Sequence, residues 1–110
     1  MYQYKATVLR ITDGDTVYLI IDLGMHTFVK FSCRLAGINA PELRSEDETT
    51  RAKAKLSKEY LATLLPIDSS IIIDSRKLDK YDRPLIVITT EAGLNINDEM
   101  VAQGHAVVYK

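Results

Sequence analysis

Several residue types are scarce in this sequence, and each shortage narrows the possibilities. Cys33 is the only cysteine among 110 residues, so no intrachain disulfide can form and a reducing compartment is compatible. Five glycines and three prolines are too few for a collagen-like or disordered composition. The longest apolar runs, such as residues 85–88, fall far short of the ~18 residues of a membrane span. We therefore expect one globular domain over residues 1–110, with no membrane partner.

The first residues also lack a secretory pattern, because no basic stretch is followed by an apolar one. This predicts a cytoplasmic location. The net charge of −1 gives no support for indiscriminate binding to nucleic acid. Residues 76–83, however, carry four bases against two acids. This excess predicts either a local anion-binding patch or a solvated turn.

Three segments in the first third of the chain are predicted to be strands. They are residues 4–11, 15–21 and 26–36. Asp13-Gly14 between the first two is a hairpin signal, and residues 22–24 form a second turn. In the third strand an apolar face is predicted for Val29, Phe31, Cys33 and Leu35, and the opposite, polar face for Lys30, Ser32 and Arg34.

A helix is predicted from Ser45 to Leu65. Residues 45–48 resemble a capping box that begins at Ser45, and Pro66 ends the helix. Its apolar stripe, which we assign to core packing, consists of Leu56, Tyr60, Leu61, Leu64 and Leu65.

Two further strands and a short helix complete the pattern. The strands are expected at residues 70–76 and 84–90. Asn97 is predicted to cap a helix over residues 98–103, which Gly104 ends in a left-handed conformation. Residues 107–109 are expected to be extended. This order predicts a mainly β, α+β fold: a five-stranded OB-fold barrel with a helix after strand three and a short C-terminal helix.

Polar residues stand next to several predicted strand ends. They are Asp13 and Asp15 around the first turn, Arg34 in strand three, residues 39–42 after it, and Arg83 before strand five. If strands one to three are neighbours, these groups can meet in one pocket. Carboxylate and amide oxygens suit a hard divalent cation, guanidinium groups match phosphate oxygens, and a carboxylate such as Glu42 can activate water. Each residue alone is equally consistent with a surface turn or a salt bridge.

The same residues resemble the staphylococcal nuclease (thermonuclease) family. The resemblance rests on four blocks that keep the family's order and spacing: residues 11–17, 34–42, 79–83 and 96–104. It implies an OB-type domain that uses Ca²⁺ to hydrolyse DNA, RNA or both to products with 3′-phosphate ends. Single-stranded nucleic acid is the expected partner, and no obligate protein partner is evident.

The resemblance also implies roles for individual residues. Asp15 and Asn39 would hold the metal through their side chains and Ala40 through its carbonyl, with Asp13 supporting them from behind. Arg34, Glu42 and Arg83 would be catalytic. Lys80, Tyr81 and Tyr109 would bind substrate, the first two at a terminal phosphate and the third against a base.

This chain departs from the family pattern in two ways that affect function. Asn39 stands where the family typically has an aspartate, so the metal site loses one negative charge. The near-neutral chain also contrasts with strongly basic secreted members. The alternative interpretation is therefore a catalytically silent OB-fold module that binds nucleic acid or protein. A sugar-binding barrel has little support, because the chain has no tryptophan to stack on a sugar ring.

Overall fold

The computed structural model describes residues 2–78 and 82–109. Within them the elements follow the predicted order, and a small second sheet is added. The strands and helices are β1 (Tyr2–Asp13), β2 (Thr16–Gly24), β3 (Thr27–Leu35), β4 (Ile38–Asn39), α1 (Glu48–Leu64), β5 (Ser70–Leu78), β6 (Pro84–Thr90), α2 (Ile96–Ala102) and β7 (Val107–Val108).

Five of the strands form a closed barrel in the order β1-β2-β3-β6-β5, with β5 also paired to β1. Four of the five contacts are antiparallel, and the β3–β6 contact is parallel. The parallel contact is short, with only the register pairs Arg34↔Leu85 and Leu35↔Ile86. The predicted OB-type α+β fold is therefore confirmed.

Buried apolar residues alternate with more exposed residues along the strands, and the buried ones fill the interior of the barrel. In β2, Val17, Leu19 and Ile21 are buried, and in β6, Ile86 and Ile88 are buried. These side chains form one core with residues of α1 and α2, because successive strand residues point to opposite faces. The opposite, polar face of each strand points to solvent or to the cleft.

Helix α1 begins later than predicted. Asp47, rather than Ser45, is the N-cap, and its carboxylate accepts a hydrogen bond from the Thr49 amide. The Ser45 hydroxyl instead accepts a hydrogen bond from the Asp47 backbone amide, in a turn that precedes the helix. The predicted stripe is correct for Leu61 and Leu65 but wrong for Leu56, which is 57% exposed, because the buried helix face includes Ala54 and Ser57.

Helix α2 is also capped differently. Asn95 is its N-cap and accepts the Asp98 amide, so the prediction of Asn97 as the cap is wrong. Asn97 lies inside the first turn and is buried against the barrel. Gly104 does adopt the predicted left-handed conformation after the helix, with φ of 78°.

The extended C-terminal segment pairs with the loop after β3. β7 runs antiparallel to β4, in the register Ile38↔Val108 and Asn39↔Val107, and the Tyr109 amide donates to the Gly37 carbonyl. This places Tyr109 beside the end of β3. Neither α1 nor α2 has the length and apolarity to cross a bilayer, and no other helix occurs in the described ranges.

Candidate functional site

A large cleft of about 1310 Å³ opens where the barrel closes between β3 and β6. It is lined by the β1–β2 turn, the end of β3, the loop after it, the end of β5, the start of β6 and Tyr109. The structure therefore brings together every described candidate residue: Asp13, Asp15, Arg34, Asn39, Ala40, Glu42, Arg83 and Tyr109. Lys80 and Tyr81 lie outside the described residues.

Asp15 is a buried carboxylate in the cleft, with only 6% of the residue exposed. Its Oδ2 accepts a 2.9 Å hydrogen bond from the Ala40 amide, and its Oδ1 accepts one of 3.1 Å from the Thr16 hydroxyl. Its backbone carbonyl accepts the Leu35 amide at 2.8 Å. These bonds connect the β1–β2 turn to β3 and to the loop that carries Asn39 and Glu42.

Arg34 bridges the turn and the loop. Its Nη1 lies 2.7 Å from Asp15 Oδ2, while its Nη2 donates to the Ile38 carbonyl and to Asn39 Oδ1, both at 3.1 Å. The Tyr109 ring lies beside the guanidinium, with its centroid 5.9 Å from Cζ. One guanidinium thus fixes the relative positions of two groups predicted to bind a cation.

The turn between the two aspartates is packed tightly against α1. A Cβ on Gly14 would come within 2.8 Å of Ser57 Cβ and 3.0 Å of Ala40 Cβ. Gly14 is not among the positive-φ glycines, so lack of space rather than backbone conformation requires glycine here. This tight packing holds Asp15 in place from behind.

Asp13 is partly buried behind Asp15. Burial raises the pKa of its carboxyl above the ordinary value of 3.8, and the negative charge of Asp15 raises it further. Lys58 and Arg44 act in the opposite direction, and Glu42 adds to the increase. The negative charges of Asp15 and Glu42 therefore disfavour the charged form of Asp13.

The remaining predicted residues occupy the rim. Glu42 is exposed and lines the cleft with its loop, and Arg83 is half-buried in the loop immediately before β6. The backbone carbonyl of Ala40 is predicted to bind the metal. The contact that the structure shows with Asp15 is made instead by the Ala40 backbone amide. The carbonyl's role toward a metal stays a prediction.

Three basic residues of the cleft were not among the predicted site residues, although two of them, Arg76 and Lys77, belong to the segment predicted to form either an anion-binding patch or a solvated turn. Arg44, Arg76 and Lys77 line it together with Arg34 and Arg83. Among the described residues these five bases face three acids, Asp13, Asp15 and Glu42, so the cleft is locally positive in a chain of net charge −1. The excess of bases in residues 76–83 was the available signal for two of them.

Asn97 was also predicted in a different role. Its side-chain oxygen accepts the Ile88 amide at 3.1 Å, and its Nδ2 donates to the carbonyls of Ala36 and Ile86 at 2.9 and 3.0 Å. Ala36 follows β3 and Ile86 lies in β6, so a single amide joins the two strands below the cleft. Asn97 acts as a buried clamp on the barrel's parallel contact.

The fold and the cleft together define an OB-type barrel with a charged cleft where β3 meets β6. The family model described as staphylococcal nuclease homologue matches residues 32–110. Because this match covers well over half of the chain, the chain belongs to that family.

One curated relative is Endonuclease YhcR of Bacillus subtilis (strain 168). It is 32% identical to this chain over 114 residues. The aligned region covers 97% of this chain but 9% of the relative, so the chain spans about a tenth of that protein's length.

Proposed function

We propose that this domain is a Ca²⁺-dependent nuclease that hydrolyses phosphodiester bonds in DNA, RNA or both. The observation that carries the proposal is the convergence of Arg34, Arg83 and Glu42 with the oxygens of Asp15 and Asn39 in one cleft. Family membership and the relative's name, an endonuclease, support the same reaction class.

Asp15 and Asn39 supply the types of oxygen ligand that a hard divalent cation takes, although the residues that the structure describes hold no group of three or more His, Cys, Asp or Glu side chains placed for a metal ion. Asp15 Oδ2 and Asn39 Oδ1 both contact the Arg34 guanidinium, so a carboxylate and an amide oxygen, the types of ligand that Ca²⁺ takes, converge on one positive group. We assign Asp15, Asn39 and the Ala40 carbonyl as its ligands, with Asp13 adding negative charge behind them. When bound, the cation would polarise a phosphoryl oxygen and offset negative charge on the phosphoryl group.

The chain's own residues supply the remaining chemistry. Arg34 and Arg83 bind oxygens of the scissile phosphate, because a guanidinium presents paired N–H donors and stays charged at neutral pH. Glu42 orients a water molecule and accepts its proton as the oxygen attacks phosphorus. The bond to the 5′ oxygen breaks, so the proposed products are a 3′-phosphate and a 5′-hydroxyl, which takes up a proton.

A cleavage assay with a chelator control tests this proposal. Labelled single-stranded DNA and RNA are incubated with the protein in Ca²⁺, and in Ca²⁺ with excess chelator. Cleavage that requires Ca²⁺ and leaves 3′-phosphate ends is the expected result. DNA and RNA that both stay intact in Ca²⁺ would contradict it.

A catalytically silent binding module is the second candidate, and one observation favours it. The Arg34 guanidinium already binds the side-chain oxygens of both predicted metal ligands, Asp15 and Asn39. The Asn39 ligand is also an amide, which carries no negative charge. A binding module would retain oligonucleotide on a filter without shortening it, so the cleavage assay separates the two candidates.

A further inference from the structure

Strand β5 contains an irregularity where it borders the cleft. Ser75 pairs with Ile86 and Lys77 pairs with Leu85, so β5 has one residue more than β6 between the two pairs. The additional residue is Arg76. This is the pattern of a β-bulge, which bends a strand locally and changes the direction of its side chains.

The bulge changes what β5 presents to the cleft. Successive residues of a regular strand point to opposite faces, so only one of two neighbours would be expected to line a given cleft. Arg76 and Lys77 are consecutive, and both line it. Both are also exposed, so their charged groups are open to a ligand.

The sheet register relates these bases to Arg34. Arg34 pairs with Leu85 across the β3–β6 contact, and Leu85 pairs with Lys77 across the β6–β5 contact. The three residues therefore form one row across three strands. With ~4.8 Å between neighbouring strands, the Lys77 backbone lies on the order of 10 Å from that of Arg34.

These two bases differ from Arg34 in their bonding. Arg34 is held by Asp15, Ile38 and Asn39. Within residues 2–78 and 82–109, by contrast, neither Arg76 nor Lys77 makes a salt bridge or a side-chain hydrogen bond. Among those residues no fixed partner neutralises their charge, so an anion that binds there breaks no ion pair of the described structure.

We propose that Arg76 and Lys77 form a second phosphate-binding site, in which they hold a backbone phosphate next to the scissile one. The ligand class is a single nucleic acid strand that runs from Arg34 across β6 to the β5 bulge. The proposal rests on the proposed function for the identity of the polymer. The two residues contact no base edge in this arrangement, so the site adds affinity without sequence preference.

Salt dependence of binding provides the test. A fluorescent oligothymidylate is titrated with the full chain in chelator, which prevents cleavage, over a series of salt concentrations. Each phosphate contact on a single strand contributes about −0.7 to the slope of log K against log salt. Arg76→Gln/Lys77→Gln should therefore lower the magnitude of the slope by about 1.4 and weaken binding roughly tenfold at low salt.

Two matched variants isolate the position from the charge. Lys5→Gln/Lys55→Gln removes the same charge from residues that do not line the cleft, and it should leave the slope unchanged. Arg76→Lys/Lys77→Arg keeps both charges and should retain the wild-type slope. Circular dichroism confirms that each variant is folded.

The possible outcomes separate this site from the nuclease itself. A slope in Arg76→Gln/Lys77→Gln equal to that of the wild type would overturn the second site, whereas Ca²⁺-dependent cleavage by the same preparation would leave the proposed function standing. An equal loss of slope in Lys5→Gln/Lys55→Gln would also overturn it, because net charge alone would then explain binding. Absence of oligothymidylate binding by the wild type would overturn it as well.

Discussion

The Arg34 guanidinium and the Asp15 carboxylate form an ion pair of 2.7 Å that connects the end of β3 to the β1–β2 turn. The two residues are 19 positions apart in a chain whose hairpin register pairs Thr16 with Arg34, so the sheet itself brings them together. Because Arg34 also contacts Asn39, its positive charge lies where the predicted metal ligands meet.

Replacing Arg34 should have opposite effects on metal binding and on catalysis. Arg34→Ala removes a charge that competes with Ca²⁺ for Asp15, so calorimetry should show tighter Ca²⁺ binding. Cleavage should fall by about 100-fold or more, because a donor to the developing phosphoryl charge is lost. Arg10→Ala, at an exposed position on β1, serves as the control and should change neither quantity. If Arg34→Ala weakens Ca²⁺ binding, the residue supports the site rather than competing in it.

Glu42 should matter for activity but not for stability. Glu42→Gln keeps the size of the side chain and removes the base, so cleavage should fall by roughly 10²–10⁴-fold. The side chain is exposed, so the melting temperature should stay unchanged. Glu46→Gln, on the same loop but outside the cleft, is the matched control. Full activity in Glu42→Gln would remove Glu42 from the mechanism.

Asn39→Asp should tighten Ca²⁺ binding. The change adds a negative charge where Asn39 Oδ1 already accepts from Arg34, and a carboxylate is a stronger ligand for Ca²⁺ than an amide. An affinity gain of about tenfold corresponds to about 1.4 kcal/mol. Gln3→Glu makes the same chemical change on exposed β1 and should leave the affinity as it is. An unchanged affinity in Asn39→Asp would mean that residue 39 is not a ligand.

The strand order was predictable because local signals and the long-range arrangement agree. The Asp13-Gly14 turn and the alternation in β2 and β3 give two hairpins, which bring Asp15 and Arg34 together without any knowledge of distant contacts. The four family-like blocks then indicated which polar residues to consider. What the sequence predicted best is therefore the part of the site that neighbouring strands assemble.

The errors share a different cause, which is tertiary contact. Asn95 and Asn97 have equal capping propensity, and only the proximity of β3 and β6 assigns Asn97 to the barrel. Ser45 and Asp47 are equally good caps, and the turn before α1 selects Asp47. The bulge at Arg76 likewise depends on the pairing with β6, which no local pattern encodes.

Asn97 should therefore be a stability residue. Asn97→Ala removes the side-chain partner of the Ala36 carbonyl and of the Ile88 amide, while the Ile86 carbonyl keeps its bond from the Ala36 amide, so the free energy of unfolding should fall by about 2–4 kcal/mol. Urea denaturation followed by circular dichroism measures the loss. Gln103→Ala at an exposed position of the same segment should cost far less. Equal losses in the two variants would contradict the clamp.

Cys33 offers a direct probe of barrel opening. Its thiol is fully buried, and burial raises its pKa from 9.0 to about 12. The native thiol should stay protonated and unreactive toward a thiol reagent at pH 8 and react fully in urea. Because the unfolded thiol ionises first, stability should fall as the pH rises from about 9 toward 12. Rapid labelling of native protein would contradict a closed barrel.

The short parallel contact between β3 and β6 has a consequence for how activity is lost. Two residue pairs and the Asn97 amide join these strands, and the cleft lies directly above them. A fluctuation that separates β3 from β6 would take Arg34 away from Arg83 while the four antiparallel ladders, β1–β2, β2–β3, β1–β5 and β5–β6, stay intact. On warming, the proposed activity should therefore be lost at temperatures where most backbone amides are still protected from hydrogen exchange. The reason is that the shortest strand contact of the barrel lies directly beneath the cleft.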